Sequence, residues 1–255
     1  RLAHIYQYEG GGIARNSGCS VALLEGDRGR FAATAVEAAI QPDDVHRPRT
    51  HLVAVENTVN KGGGAIWSYQ DLEAIAVVCR NHKLPFHLDG ARLFNALAET
   101  GESPARYGLL FDSISVCLSK GLGAPVGSLL LGKAEFIKQA RRVRKAWGGG
   151  MRQAGIIAAA GSYALANHVG RLKEDHRHAR ELGSALRQLS WVAEVLPVDT
   201  NIVIFRLGAG LSEAPVAAKL KEAGVWVSPF GPGMIRLVTH LDVGDAEIEH
   251  AIAVL

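Results

Sequence analysis

The sequence predicts an α/β protein with a mostly parallel sheet flanked by helices, followed by a small C-terminal α+β unit. Three observations carry this expectation. Short apolar runs alternate with segments of helical spacing over residues 51–131, the order of a βαβα unit. Three helical segments then follow one another from Ala134 to about Ser190. Beyond them, short β-rich runs mix with helices again.

In order, the apolar run His51–Glu56 predicts a strand, and Gln70–His82 predicts a helix because Leu72, Ile75, Ala76 and Cys79 share one face. Pro85–Leu88 reads as the next strand, Ala91 to about Thr100 as a helix, and Ser113–Leu118 and Val126–Leu131 as two further strands. The helical segments are Ala134–Trp147, Met151–His168 and Arg171–Leu189. The last part offers strands at Asn201–Leu207, Val225–Pro229 and Ile235–His240, with helices at Glu213–Ala223 and Asp245–Leu255. No Pro/Gly/Ser-rich linker separates the two parts, so the boundary is placed inside helical sequence near His168–Arg171, giving units 1–168 and 169–255.

The 255 residues are 48% hydrophobic and 21% charged, which excludes a disordered chain. The 28 basic and 25 acidic residues leave a net charge of +3, scattered along the sequence. That is no footprint for a nucleic acid or a membrane surface, and a small soluble partner is expected. The longest apolar stretch, Ala154–Ala166, falls short of the ~20 residues a bilayer requires. Cys19, Cys79 and Cys117 lie far apart with no CxxC pair, which points to reduced thiols, a cytoplasmic setting and no structural metal. The basic cluster Arg141, Arg142, Arg144 and Lys145 reads as a solvated helix face, and His176 and His178 fall on different sides of a helix. The chain opens at Arg1, so its first residue is not expected to be the biological start.

Two segments carry chemistry. His87-Leu88-Asp89-Gly90-Ala91-Arg92 places a carboxylate at the end of a buried strand and an arginine one helical turn further on, both toward the strand-end crevice. A buried aspartate is costly unless it meets a cation, which a protonated heterocyclic nitrogen supplies; the competing role is helix N-cap. Ser119-Lys120-Gly121-Leu122-Gly123 sets a lysine directly after a buried strand, before two glycines. Desolvation there favours the free amine that attacks carbonyls, whereas alone such a lysine is more simply a solvated turn residue. Together, Asp89 and Lys120 match the needs of an electron-sink cofactor with a pyridinium nitrogen and an aldehyde. Gly148–Gly150 before Met151 and Arg152 could offer N–H groups and a guanidinium to an anion, or be a plain turn.

The sequence resembles the low-specificity L-threonine aldolases, in the β-eliminating lyase branch of fold-type I pyridoxal-phosphate enzymes. The resemblance rests on Ala3-His4-Ile5-Tyr6 with Glu9-Gly10-Gly11-Gly12, on Glu56-Asn57-Thr58, on the two segments above with Leu93-Phe94-Asn95-Ala96 and Ala124-Pro125-Val126-Gly127-Ser128, on Gly148–Gly155, and on Arg236-Leu237-Val238-Thr239-His240. It implies an aspartate aminotransferase-like sheet and pyridoxal 5'-phosphate as cofactor. It further implies that Lys120 carries the cofactor aldehyde as a Schiff base, Asp89 pairs with the pyridinium nitrogen, His4 stacks on the ring and Arg152 lies near the phosphate. Arg92 and Arg236 would clamp the substrate carboxylate. The implied reaction is retro-aldol cleavage of L-threonine or L-allo-threonine to glycine and acetaldehyde, in a homo-oligomer, dimer or tetramer, with active sites near a subunit interface.

Two departures stand out. After Glu56-Asn57-Thr58 the family pattern continues with a histidine beside the substrate hydroxyl, where this sequence has Val59. Losing that imidazole is expected to weaken discrimination between threonine and allo-threonine. The family also carries a further N-terminal stretch with a Ser-Gly-Thr turn that cradles the phosphate, so the large unit is expected to be N-terminally incomplete. Alternatives left open are another enzyme of Cα chemistry on this scaffold, such as an alanine racemase or β-eliminating lyase, and an inactive fragment acting as an oligomer-forming scaffold.

Overall fold

The computed structural model describes residues 1–255. Three short helices, α1 (His4–Gln7), α2 (Gly12–Ser17) and α3 (Ala33–Ala39), precede the first sheet. They went unrecognised because each is too short for a periodic pattern, and between them they bury one side chain, Val36. The alternating region then forms β1 (Val53–Glu56), α4 (Tyr69–Asn81), β2 (Phe86–Gly90), α5 (Leu93–Thr100), α6 (Pro104–Gly108), β3 (Ser113–Cys117) and β4 (Ser128–Gly132). Helix α4 starts where Ser68 accepts the Asp71 N–H, an N-cap, and it buries Leu72, Ile75, Ala76 and Cys79 as the spacing requires.

The strand order is β1-β2-β3-β4. Pairs β1/β2 and β2/β3 are parallel because a helical crossover joins each, whereas β4 returns from β3 through a loop and runs antiparallel. The register sets Glu56 opposite Asp89, and Asp89 opposite Ser115. Helices do not cover the whole sheet. Strand β4 is exposed along its length, including Leu129, Leu130 and Leu131.

Helices α7 (Ala134–Ala146), α8 (Gly155–Asn167) and α9 (Leu172–Leu186) follow. Helix α8 starts after the anticipated Met151, because Gly148 (φ +84°) and Gln153 (φ +54°) hold a turn ahead of it. The second sheet contains β5 (Val192–Val195), β6 (Ile202–Leu207), β7 (Ser228–Pro229) and β8 (Met234–Val238), ordered β5-β6-β8-β7 and entirely antiparallel. Helices α10 (Glu213–Glu222) and α11 (Asp245–Val254) complete this part. The anticipated strand Val225–Pro229 narrows to its last two residues, and β5 was not anticipated.

Each sheet has its own core. Leu72, Ile75, Phe86, Leu88 and Tyr107 anchor the first, and Leu182, Leu186, Val203, Phe205 and Ile235 the second. A smaller cluster of Leu118, Leu122, Ala124, Ala164 and Leu172 packs α8 and α9 against the loop after β3. A polar bridge joins α5 to α9. Asn95 Nδ2 donates to His176 Nε2 at 2.9 Å, and the opposite ring nitrogen meets Glu99 at 2.5 Å. Burial holds the His176 pKa below its ordinary value, in keeping with a neutral ring that accepts from Asn95 and donates to Glu99. His178, two residues on, faces elsewhere and contacts Asp245 at 2.8 Å. Because Leu88 is fully buried in the central strand β2, Leu88→Ala is expected to cost about 2–5 kcal/mol of stability in urea unfolding.

Candidate active site

Three parallel strands end side by side, and each delivers a polar group to the same rim. Glu56 closes β1, Asp89 is the penultimate residue of β2, and Lys120 follows β3 by three residues. Ligands of open α/β sheets bind at such carboxyl ends. Asp89 is 6% exposed, and its Oδ1 accepts the Ala91 N–H at 3.2 Å. The N-cap alternative fails, because the cap position of α5 is Arg92 and no side chain caps it. Arg92 therefore stands at the cap of α5, which begins at Leu93 and not at Ala91, and its backbone (φ −127°, ψ 35°) is not helical.

Lys120 is half-buried and enters no ion pair within 4.0 Å. The backbone around it is tightly fixed. Gly123 N–H donates to the Lys120 carbonyl at 2.8 Å, and Ala124 N–H to the Leu118 carbonyl at 2.9 Å. At Gly121 a Cβ would stand 2.9 Å from Asn95 Oδ1 and 3.2 Å from Leu172 Cδ2, so only glycine fits the seat beside the lysine.

Arg92 and Arg236 come from different sheets to one place. Burial, reinforced by the like charge of Arg236, lowers the Arg92 pKa to about 10, and burial lowers that of Arg236. Each guanidinium keeps a buried Nε without a partner. Two neighbouring cations with orphaned donors have the chemistry to receive an anion, and their planar forks suit a carboxylate. Arg236 is itself steered: its Nη1 donates to Asn60 Oδ1 at 2.9 Å, and its Cζ lies 4.5 Å from the Phe230 ring centroid.

Above these groups, His4 stacks on Tyr8 with ring centroids 4.7 Å apart, and its Nε2 meets Glu9 at 2.6 Å. The Lys61 ammonium lies 5.4 Å from the Tyr8 ring and 5.9 Å from that of Phe230. Val59 is 2% exposed and belongs to the first core, where it packs against Gly29. Arg152 stands exposed in the turn before α8 and its side chain makes no hydrogen bond or ion pair, so the structure does not bring it to the other candidates.

Glu56 carries more than the sequence reading gave it. Its carboxylate, 6% exposed, accepts the His4 N–H at 2.5 Å and the Asn60 N–H at 2.7 Å. Burial raises its pKa, the two N–H groups oppose the rise, and Asp89 adds to it. The available signal was an acidic residue ending an otherwise apolar strand, Val53-Ala54-Val55-Glu56.

Residues 1–209 match the beta-eliminating lyase family. The chain is 40% identical to the low specificity L-threonine aldolase of Escherichia coli K12 over 254 residues, covering 99% of this chain and 74% of that protein. It is 34% identical to low-specificity L-threonine aldolase 1 of Arabidopsis thaliana, covering 98% of this chain and 72% of the relative. In three dimensions it superposes on a threonine aldolase of Leishmania major with a TM-score of 0.80 at 23% identity, over 99% of this chain and 74% of the other, which shows the same fold. Sequence and architecture agree: the chain belongs to the beta-eliminating lyase family and has the fold-type I arrangement of its threonine aldolases.

Proposed function

We propose that the protein cleaves L-threonine and L-allo-threonine to glycine and acetaldehyde with pyridoxal phosphate bound at the ends of β1–β3. One observation carries this reading: two half-buried arginines, each with a buried, orphaned Nε donor, share the strand-end rim with a buried carboxylate, Asp89, and the half-buried Lys120. The residues fit the ring nitrogen and the aldehyde of the cofactor. Asp89 has no protein cation within 4.0 Å, so its charge is free for a protonated ring nitrogen, and Lys120 Nζ is free of carboxylates. When bound, the cofactor supplies an electron sink for the pair released as the Cα–Cβ bond breaks.

The chain's own side chains do the rest. Lys120 Nζ would hold the cofactor aldehyde, and the Asp89 carboxylate would favour a protonated ring nitrogen. Arg92 and Arg236 would hold the substrate carboxylate and so fix the orientation of the Cα substituents, which selects the bond that breaks. His4 would cover the ring face, whereas Arg152 stands apart from these residues and takes no part in the proposed site. Val59 leaves the β-hydroxyl without an imidazole partner, which favours tolerance of both diastereomers. The reaction is a fragmentation that needs no co-reactant, since glycine and acetaldehyde together contain every atom of threonine.

The units 1–168 and 169–255 act as the cofactor-binding and the small C-terminal domain, a division supported by the two separate cores. A homo-oligomer, dimer or tetramer, is supported by the exposed apolar surface of Leu129, Leu130, Leu131, Trp147 and Ile156. A cytoplasmic setting is supported by the three unpaired cysteines, and no helix is long and apolar enough to cross a membrane.

The test is acetaldehyde release from L-threonine by the pyridoxal-phosphate-loaded protein, beside an assay for alanine racemisation. Acetaldehyde with glycine in equal amounts supports the proposal, and racemisation without aldol cleavage overturns it. For Arg92→Lys the expected outcome is a fall of about 10- to 100-fold in kcat/KM, shared between a higher KM and a lower kcat, because a point charge replaces a fork. Steady-state kinetics with threonine checks it.

A further inference from the structure

We propose that Glu56 is a positioning residue that ties the His4 arm and, through Asn60, the Arg236 guanidinium to one buried carboxylate. The proposal rests on the functional reading above and deepens it, since it names what sets the distance between the ring cover and the carboxylate clamp.

The connections are short and continuous. One Glu56 oxygen accepts the backbone N–H of His4, where α1 begins, and the other accepts the backbone N–H of Asn60. Asn60 turns its Oδ1 to Arg236 Nη1 at 2.9 Å. His4 is 52 residues from Glu56 in sequence and Arg236 is 176 residues from Asn60, so three remote segments meet at one anchor. The anchor itself cannot drift. Glu56 ends β1, which is paired along its length with β2, and its carbonyl accepts the Trp67 indole N–H at 3.0 Å.

The loop that carries Asn60 is held from its other side as well. Val59 and Ala65 form a β-bridge, and Gly64 N–H donates to the Val59 carbonyl at 2.9 Å. Arg28 grips the same loop through the Gly62 carbonyl at 2.6 Å and reaches the second sheet's side through Asp199 at 2.8 Å and the Pro197 carbonyl at 2.9 Å. Asn60 therefore stands in a preset turn with its acceptor aimed at Arg236. A clamp arginine with a fixed Nη1 presents its remaining donors in one direction, which lowers the ordering cost when a carboxylate binds.

A carboxylate suits the anchor role because it accepts two N–H groups at once from opposite sides. A glutamine of the same shape has a single acceptor oxygen, and its NH2 opposes one of the two amide donors. Burial of Glu56 makes that mismatch costly, since the abandoned N–H has no water to turn to.

The experiment compares wild type, Glu56→Gln, Asn60→Ala and Asn60→Asp as holoenzymes, by amide deuterium exchange and by threonine kinetics. In Glu56→Gln the amides of residues 3–8 or 58–62 are expected to exchange at least about tenfold faster while β2 and β3 keep their protection. In Asn60→Ala the KM for threonine is expected to rise about five- to tenfold with kcat within about twofold, and Asn60→Asp, which keeps an oxygen toward Arg236, is expected to restore it. The bound-cofactor absorbance should be unchanged in both Asn60 variants. Unchanged exchange in both segments of Glu56→Gln overturns the proposal, as does an unchanged KM in Asn60→Ala. If Glu56→Gln does not fold, the Asn60 pair decides alone. Faster exchange in Glu56→Gln as described, together with a wild type that leaves threonine uncleaved, would sink the functional reading and not the anchor.

Discussion

Lys120→Ala is expected to remove threonine cleavage altogether, at least about a thousandfold below wild type, because it deletes the one amine placed to hold the cofactor aldehyde. The location of the lysine makes the result interpretable. Lys120 lies three residues beyond β3, in a loop fixed by backbone hydrogen bonds from Gly123 and Ala124 and by the glycine seat at Gly121. None of those contacts involves its side chain. The half-buried butylammonium contributes no ion pair within 4.0 Å, so stability in urea is expected to stay within about 0.5 kcal/mol of wild type. Acetaldehyde release and an unfolding curve, measured on the same preparation, separate loss of chemistry from loss of fold.

Asp89→Asn is expected to lower kcat/KM by about 10²- to 10³-fold while the cofactor stays bound. The amide reproduces the shape of the carboxyl and can still accept the Ala91 N–H through Oδ1, so β2 keeps its end and its register with β1 and β3. What disappears is the negative charge that holds a proton on the ring nitrogen. Without that charge the site would no longer favour a protonated ring nitrogen, on which the cofactor's capacity as an electron sink depends. Cofactor absorbance per protein together with kcat/KM reads both halves of the expectation. Activity within tenfold of wild type would move the pyridinium role to another residue.

Much of this site was legible in one dimension because its main parts are strand-end residues. A run of β-formers followed by Asp89-Gly90, and another followed by Ser119-Lys120-Gly121, declare a strand and its exit at once. The alternation that produces β1, α4, β2, α5 and β3 was equally clear, because each helix buries a face with helical spacing and each strand is an apolar run. Helix α6 and strand β5 were not legible. The first has five residues and buries only Tyr107, and the second has four residues, none of them fully buried, so neither leaves a pattern long enough to register a period.

The role of Glu56 was hidden for a different reason. It accepts backbone N–H groups, and a backbone donor has no residue type to recognise. Asn60 and Arg236 likewise meet only because β8 of the second sheet comes back to the loop after β1. Arg92 falls just outside the helix and not within it, since α5 starts at Leu93, two residues later than the sequence pattern suggests. A turn at Ala91 and Arg92 separates β2 from the helix, so the guanidinium leaves from the cap position and not from a helical residue.

In the proposed site Lys120 holds pyridoxal phosphate beside Asp89. Borohydride reduction of the protein with saturating cofactor, followed by peptide mass mapping, reads this attachment itself, because a reduced covalent bond survives even where equilibrium binding is weak. The predicted result is a phosphopyridoxyl mass increment on the peptide containing Lys120, absent from Lys120→Ala and suppressed when threonine is added before the reductant. Stoichiometric labelling of any other lysine, with Lys120 unmodified, would contradict it.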